Sequence, residues 1–318
     1  MSPRLVQKLA DFLKMQSRFE KVPSFSRALG LNSGAFSANE NVSFDKEHNL
    51  TFRLPLTKRI QLPRLEQPVA LSTYLAIIDD VTTWALVLGD LQHSRPGVSV
   101  SLRAEWGPAA SRHQLGDQVD VVTSVSKIGR NLGFVRAEVR DVTTGDIVCS
   151  ASHIKYLSLG IVVDFMLSSY GWNTSKFLTD KLMPSSETEA PPLIDLFDSL
   201  KFESDNRATF EPSLVHASSG GPIHGGCQAV LMQMVATRLA QRELGSSSVR
   251  LDSIAIDYMA SPKAKITKID VQTLPKADGD SSVSLRVQLI GGGRLNSDGL
   301  LRFSLASEAA GSRLKSKL

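Results

Sequence analysis

Two stretches of this chain hold residue types that could do chemistry together. Gly221-Pro222-Ile223-His224-Gly225-Gly226 opens an apolar helical run to Arg242 carried by Ala229, Leu231, Met232, Val235 and Leu239. The first turn of a helix presents unpaired backbone N–H groups and the positive end of its dipole. Glycines there let a ligand approach with no Cβ in the way, so Gly225 and Gly226 could hold an oxygen that is gaining negative charge. Asp79 and Asp80 sit inside a second apolar helical run, Pro68 to Asp90, with Ala70, Tyr74, Ile77, Ile78, Val81, Trp84, Ala85 and Leu88. A carboxylate is the complementary part, as general base or nucleophile. Cys227 follows the glycines but has no His at a recognisable spacing, so it is not read as a nucleophile. His48, His93, His113, His153 and His216 show no metal-ligand spacing and default to surface or packing roles; neither metal nor cofactor is expected.

The elements that must position these residues come twice. After the first helix, strand character recurs at Gly97–Leu102, Asp117–Val125, Leu132–Val139 and Ile147–Tyr156, with period-two alternation in Val98, Val100 and Leu102. After the second helix it recurs at Ser248–Tyr258, Lys265–Thr273, Val283–Ile290 and Gly299–Leu305. A corner repeats as well: Glu105-Trp106-Gly107-Pro108-Ala109 matches Asp257-Tyr258-Met259-Ala260-Ser261-Pro262. A helix followed by an antiparallel meander, repeated once, predicts an α+β tandem. Ser185-Ser186-Glu187-Thr188-Glu189-Ala190-Pro191-Pro192 reads as a linker, flanked by helical patches at Thr174–Leu182 and Leu193–Leu200. The predicted organisation is a first domain over 1–158 with a leading amphipathic helix, a linker with short helices over 159–205, a second domain over 206–308, and a flexible tail over 309–318.

A long apolar helix wrapped by an antiparallel sheet resembles the hotdog fold, and the halves look like the small HGG-motif acyl-CoA thioesterases of the phenylacetyl-CoA-thioesterase-like branch. His224-Gly225-Gly226 carries that resemblance most specifically. Ile77-Ile78-Asp79-Asp80-Val81-Thr82-Thr83, then Pro96 to Val100, resemble the acidic helix segment and following strand, and Lys127 to Phe134 resembles the turn between the next two strands. The resemblance implies two hotdog domains packed as an intramolecular pseudo-dimer, with the first glycine's N–H polarising a thioester carbonyl and the acid supplied by the other domain's helix.

The halves divide these parts. Nine residues after His224 stands Gln233, where the family has its acid; nine before Asp79 stands Ala70, followed by Leu71-Ser72 in place of two glycines. Ser99, seven residues before Trp106, matches the family's water-orienting serine, whereas Leu251 stands seven before Tyr258. One complete site is therefore expected, Gly225 and Gly226 with Asp79 and Ser99, and a dead twin at Ser72 and Gln233. Asp79 is preferred to its neighbour Asp80 as the acid. His224 braces the loop. Ser218 stands where the family often has a carbonyl-binding amide. Arg130 and Lys127 at the turn, and Lys155 on the last strand, are candidates for the coenzyme A phosphates. The expected activity is hydrolysis of an acyl-CoA to a free acid and CoA. The alternatives are a non-catalytic acyl-CoA-binding scaffold and an enoyl-CoA hydratase or dehydratase, whose characteristic Phe-Pro pairing is missing.

Composition and termini complete the expectation. The 318 residues are 42% hydrophobic and 21% charged, values that exclude wholesale disorder. No apolar run of bilayer-spanning length occurs, so a soluble protein without membrane contact is expected. A net charge of +4 scattered along the chain, with only 6% aromatics, argues against nucleic acid. Two cysteines, Cys149 and Cys227, make no disulfide framework and suggest a reducing compartment. Leu5–Phe19 reads as an amphipathic helix; its basic bias suits a mitochondrial presequence, but Asp11 argues for a structural role. The final Ser316-Lys317-Leu318 reads as the address bound by the peroxisomal import receptor, with cytoplasm or mitochondrion as the alternative. A homodimer of tandem units is a further possibility.

Overall fold

The computed structural model describes residues 3–19, 24–31, 41–45, 47, 49–62, 69–90, 92–110, 113–168, 170–182, 190–218, 222–260, 266–273 and 281–306. His48, Gly221, the Ser261-Pro262 corner and the Ser316–Leu318 tripeptide lie outside these residues.

Helices α1 (Pro3–Phe19) and α2 (Phe25–Ala28) lead into strands β1 (Val42–Phe44) and β2 (Leu50–Pro55), then the long helix α3 (Leu71–Gly89). Strands β3 (Val98–Trp106), β4 (Gln118–Ile128), β5 (Leu132–Asp141) and β6 (Ile147–Tyr156) follow. Short helices α4 (Ile161–Leu167) and α5 (Trp172–Leu182) precede β7 (Lys201–Ser204) and β8 (Arg207–Thr209). The second long helix, α6 (Gly225–Leu244), is followed by β9 (Val249–Tyr258), β10 (Ile266–Thr273), β11 (Ser282–Gly291) and β12 (Arg294–Leu305).

All twelve strands form one antiparallel sheet in the order β1-β2-β4-β5-β6-β3-β9-β12-β11-β10-β8-β7. Read outward from the β3–β9 seam, the two directions repeat one order. At the seam Ser101 faces Asp257, Arg103 faces Ala255 and Glu105 faces Ser253, so a local two-fold axis passes beside Arg103 and Ala255.

Strands β4 and β5 alternate as half-buried strands must. In β4, Val119, Val121 and Thr123 are buried; in β5, Gly133, Val135, Ala137 and Val139. Helix α3 is buried along nearly its whole length and α6 from Gly226 to Met232 and again at Val235 and Leu239, while Arg238, Arg242 and Glu243 of α6 face solvent. Helix α3 is long and apolar enough to cross a membrane by composition, yet 94% of its most apolar window is buried inside the protein. Trp84 packs edge-on against Phe52 of β2, ring centroids 5.5 Å apart. Helix α6 ends at Gly245, whose φ of 63° is left-handed, and the Ser246 N–H closes back on Gln241 O at 3.1 Å.

The two edge hairpins, β1–β2 and β7–β8, were not anticipated from the sequence, and β7 opens at Lys201, inside the stretch read as linker. Helix α1 buries Leu9, Phe12, Leu13 and Met15 and donates from Lys8 Nζ to Val87 O of α3 (3.0 Å). It packs on α3 and on α5, which in turn packs on α4, and α1, α4 and α5 form a helical cap beside α3.

Candidate functional site

The start of α6 is held from several directions. His224, in extended conformation at the N-cap, donates its N–H to His216 O (2.9 Å) and accepts the Gly226 N–H on Nδ1 (3.0 Å). A side-chain acceptor at this position satisfies one of the helix's orphan donors. Phe25 packs on the His224 ring with centroids 5.3 Å apart, and Asp80 Oδ1 lies 3.2 Å from its Nε2.

Helix α3 passes so close that a Cβ on Gly226 would collide with the backbone of Ala76. That approach brings Asp79 to the α6 terminus, where Asp79 Oδ2 accepts a second, 3.2 Å bond from the Gly226 N–H. A Cβ on Gly225 would sit 2.7 Å from the same oxygen. Among the described residues the Gly225 N–H has no hydrogen-bond partner, as expected for the first amide of a helix. Its carbonyl accepts the hydroxyl of Tyr258, at the end of β9, at 2.9 Å.

The other carboxylate oxygen faces three side chains. Asp79 Oδ1 accepts from Ser99 Oγ (2.9 Å) and lies 3.5 Å from both Lys155 Nζ and His153 Nε2. Burial alone would raise the Asp79 pKa, but Lys155, His224, His153 and the Ser99 hydrogen bond outweigh it and hold the carboxyl well below its usual range. Burial and then the Lys155 charge pull His153 down to about 3, against the opposing pull of Asp79. For His224, burial is outweighed by Asp80 and Asp79, and its pKa is raised.

These groups border a cavity of about 830 Å³. Asp79, Ser99, Lys155, His224, Gly225 and Tyr258 line its polar end, and Phe12, Met15, Val163, Met166 and Leu167 of the cap line its apolar part. Ser218 also lines it, donating its hydroxyl to Pro222 O at 3.3 Å. Among the described residues no group of three or more His, Cys, Asp or Glu could hold a metal ion.

The opposite end of the helix pair repeats the geometry without the chemistry. The Ser72 N–H donates to Gln233 Oε1 at 3.0 Å, the counterpart of Gly226 with Asp79. Leu71 takes the place of Gly225, and Leu251 is buried where Ser99 stands in the first half. Tyr74 packs edge-on against Trp106 at 5.7 Å, and the Trp106 Nε1–H donates to Leu251 O. A neutral amide and two bulky rings occupy this end.

No family model matches the chain. Over 81 residues it is 27% identical to acyl-coenzyme A thioesterase 13 of Homo sapiens and 26% identical to that of Mus musculus, a stretch that is 26% of this chain and 54% of either relative. The chain thus spans about half the length of the curated relatives it matches. Among solved structures it resembles a 12:0-ACP thioesterase from Umbellularia californica, with TM-score 0.53 and 12% identity over 81% of this chain and 94% of that one. It also resembles a hot dog fold protein of unknown function from Alicyclobacillus acidocaldarius (TM-score 0.51, 9% identity, 89% and 98% covered). A third is a tesB protein of Mycobacterium avium subs paratuberculosis (TM-score 0.50, 12% identity, 88% and 100% covered). The chain has the hotdog fold.

Within that fold, residues chosen from the sequence take different places. Asp79, Ser99, His224, Gly225 and Gly226 come together at one end of the helix pair. Asp80 is close by, but its carboxylate bonds Ser26 Oγ (3.0 Å) and His224, so it braces the loop. Lys127 and Arg130 stand exposed at the β4–β5 turn and are not among the residues lining the cavity. Lys155, read as a phosphate contact, is instead buried against Asp79 and donates to Thr83 Oγ1 at 2.5 Å. His153, assigned by default to surface or packing, is 1% exposed and touches Ser99. The overlooked signal is that His153 and Lys155 share the inward face of β6, where the other positions are Cys149 and Ala151.

Proposed function

We propose that this chain is an acyl-CoA thioesterase, two hotdog domains in tandem acting as an intramolecular pseudo-dimer with one composite active site. The observation that carries this reading is the pairing of the Gly226 amide with Asp79 at one end and the Ser72 amide with Gln233 at the other. The same scaffold position holds a charged acid once and a neutral amide once. The acyl chain would lie among Phe12, Met15, Met166 and Leu167, and the thioester carbonyl would point its oxygen at the Gly225 N–H. That donor is worth most where water is excluded. Asp79 would be the first acceptor of the attacking water's proton, with Ser99 holding the water in line. Both Asp79 oxygens already accept hydrogen bonds, which favours this role over direct attack on the carbonyl. The matched stretch in acyl-coenzyme A thioesterase 13 supports an acyl-CoA as the substrate.

The test is thiol release from a panel of acyl-CoAs, from acetyl to long-chain and aryl. Asp79→Asn should slow release at least about 100-fold, the scale of a lost general base. Acyl-CoA binding without turnover, unchanged by this substitution, would instead make the protein a scaffold. Localisation follows as a separate proposal: Ser316-Lys317-Leu318 would direct the chain to peroxisomes through their import receptor.

A further inference from the structure

His153 takes part in a hydrogen-bond chain that is one proton short. Thr82 Oγ1, in α3, lies 2.6 Å from Ile78 O and 3.2 Å from Asp79 O. Carbonyls only accept, so the single Thr82 proton is used there. Thr82 Oγ1 is also 2.6 Å from His153 Nδ1, and that contact therefore needs its proton from the ring. A neutral His153 is thereby fixed with hydrogen on Nδ1 and a bare lone pair on Nε2. That lone pair meets Ser99 Oγ at 3.0 Å, and the same hydroxyl meets Asp79 Oδ1 at 2.9 Å. One proton serves two acceptors. A fourth proton would fill every link from Ile78 O to Asp79 at once.

Among the described residues the other base beside Asp79 is His224, 3.5 Å from its Oδ2, but the nitrogen it presents there already accepts the Gly226 N–H. The charged and titratable groups facing His153 are Asp79 from α3, Lys155 on its own strand and His224 at the head of α6. Its neighbours across β5 and β3 are Val135 and Leu102.

We propose that His153, reached through Ser99, is the station that holds the proton removed from the attacking water, and that Thr82 fixes its ring for this task. This rests on the thioesterase reading above. As the water O–H bond breaks, its proton passes to Asp79, from Asp79 to Ser99 Oγ, and Ser99's own proton moves to His153 Nε2. The water oxygen's freed electron pair forms the bond to the thioester carbon, and the C=O π pair moves onto the oxyanion at Gly225. Collapse re-forms C=O and breaks C–S. The departing thiolate takes the stored proton back along the same chain, giving CoA-SH and the carboxylic acid. Asp79 is poorly suited to keep the proton because the Gly226 amide, Ser99 and Lys155 already surround its charged oxygens, whereas His153 Nε2 holds a bare lone pair toward Ser99. Lys155 keeps the imidazolium short-lived, so the proton is available again when the thiolate leaves.

The test compares full-length wild type with His153→Gln, Ser99→Ala, their double variant and Thr82→Val in thiol release, with Asp79→Asn as reference. His153→Gln should lose about 100-fold in kcat with KM little changed. The double variant should be no slower than the slower single, because both cut one path. The imidazole ¹⁵N shifts of the unliganded wild type should show hydrogen on Nδ1 of His153 and none on Nε2, and Thr82→Val should lose that preference. Near-wild-type turnover in His153→Gln, beside an inactive Asp79→Asn, overturns this inference and leaves the thioesterase reading intact. Multiplying losses in the double variant, or hydrogen on Nε2, also overturn it. No thiol release by the wild type overturns the reading itself and this step with it. Should His153→Gln fail to fold, the ring shifts and the turnover of Thr82→Val decide.

Discussion

Lys155 sets the electrostatics of the site at the scale of single residues. It is 4% exposed and 3.5 Å from Asp79 Oδ1, so its charge opposes the burial that would otherwise protonate the acid. Because the Asp79 pKa is depressed, its contribution to stability is present above the unfolded value of 3.8 and is lost only as pH falls through its lower folded value. Lys155→Met should weaken that depression. With the largest of the opposing charges gone, the Asp79 pKa rises, the acid limb of kcat/KM moves to higher pH, and the loss of stability on acidification begins at higher pH. Removing one partner of a buried pair should also cost about 3–5 kcal/mol, readable in denaturant titrations. An unchanged pH profile would show that Lys155 does not govern Asp79. The residue scale is also where the sequence was least legible. Asp79 and Gly225 could be found because their helix spacing is fixed by the resembled motif. His153 and Lys155 lie some seventy residues from Asp79 in sequence and become neighbours only through strand pairing.

At the scale of elements, the two long helices cap each other. The Gly226 amide of α6 is capped by a side chain of α3, and the Ser72 amide of α3 by a side chain of α6. Helix α3 has no capping side chain of its own at Ala70, so Gln233 supplies the missing acceptor. Gln233→Leu should therefore destabilise the fold by about 0.5–2 kcal/mol, the usual cost of a lost cap, while thiol release is unchanged. A large loss of rate in that variant would mean that the second end takes part in turnover. Helices and meander strands were legible because their periodicities are strong. The edge hairpins β1–β2 and β7–β8 were not, since three- and four-residue strands such as β1, β7 and β8 are too short to display one. The reading of Leu193–Leu200 as a helical patch became a five-residue 3-10 turn, Leu193–Phe197, starting behind Pro192.

At the scale of the whole molecule, the helical cap and the β3–β9 seam make the site a property of both halves. Asp79, Ser99 and Lys155 come from the first half, Gly225 and Tyr258 from the second, and the seam registers them through five residue pairs. Insertion of a protease site within residues 183–189, followed by cleavage, should leave the fragments associated and turnover retained, because the seam and the contact between the long helices remain. Dissociation on gel filtration would overturn that expectation. A tagged chain ending at Lys315 should lose peroxisomal targeting under fluorescence microscopy while the full chain keeps it.

The mirrored order of strands about one axis has a consequence for how such a molecule can change. In an assembly of two identical subunits, every substitution arrives in duplicate, so abandoning the acid would silence both centres together. Covalent joining removes that constraint. Under the proposed thioesterase reading, one copy can surrender its carboxylate and the other its glycines and a single centre survives, the vacated end being filled by Tyr74 and Trp106. On the same reading, a second centre would require Leu71→Gly, Ser72→Gly, Gln233→Asp and Leu251→Ser together with space cleared of those two rings, so no single substitution should create one.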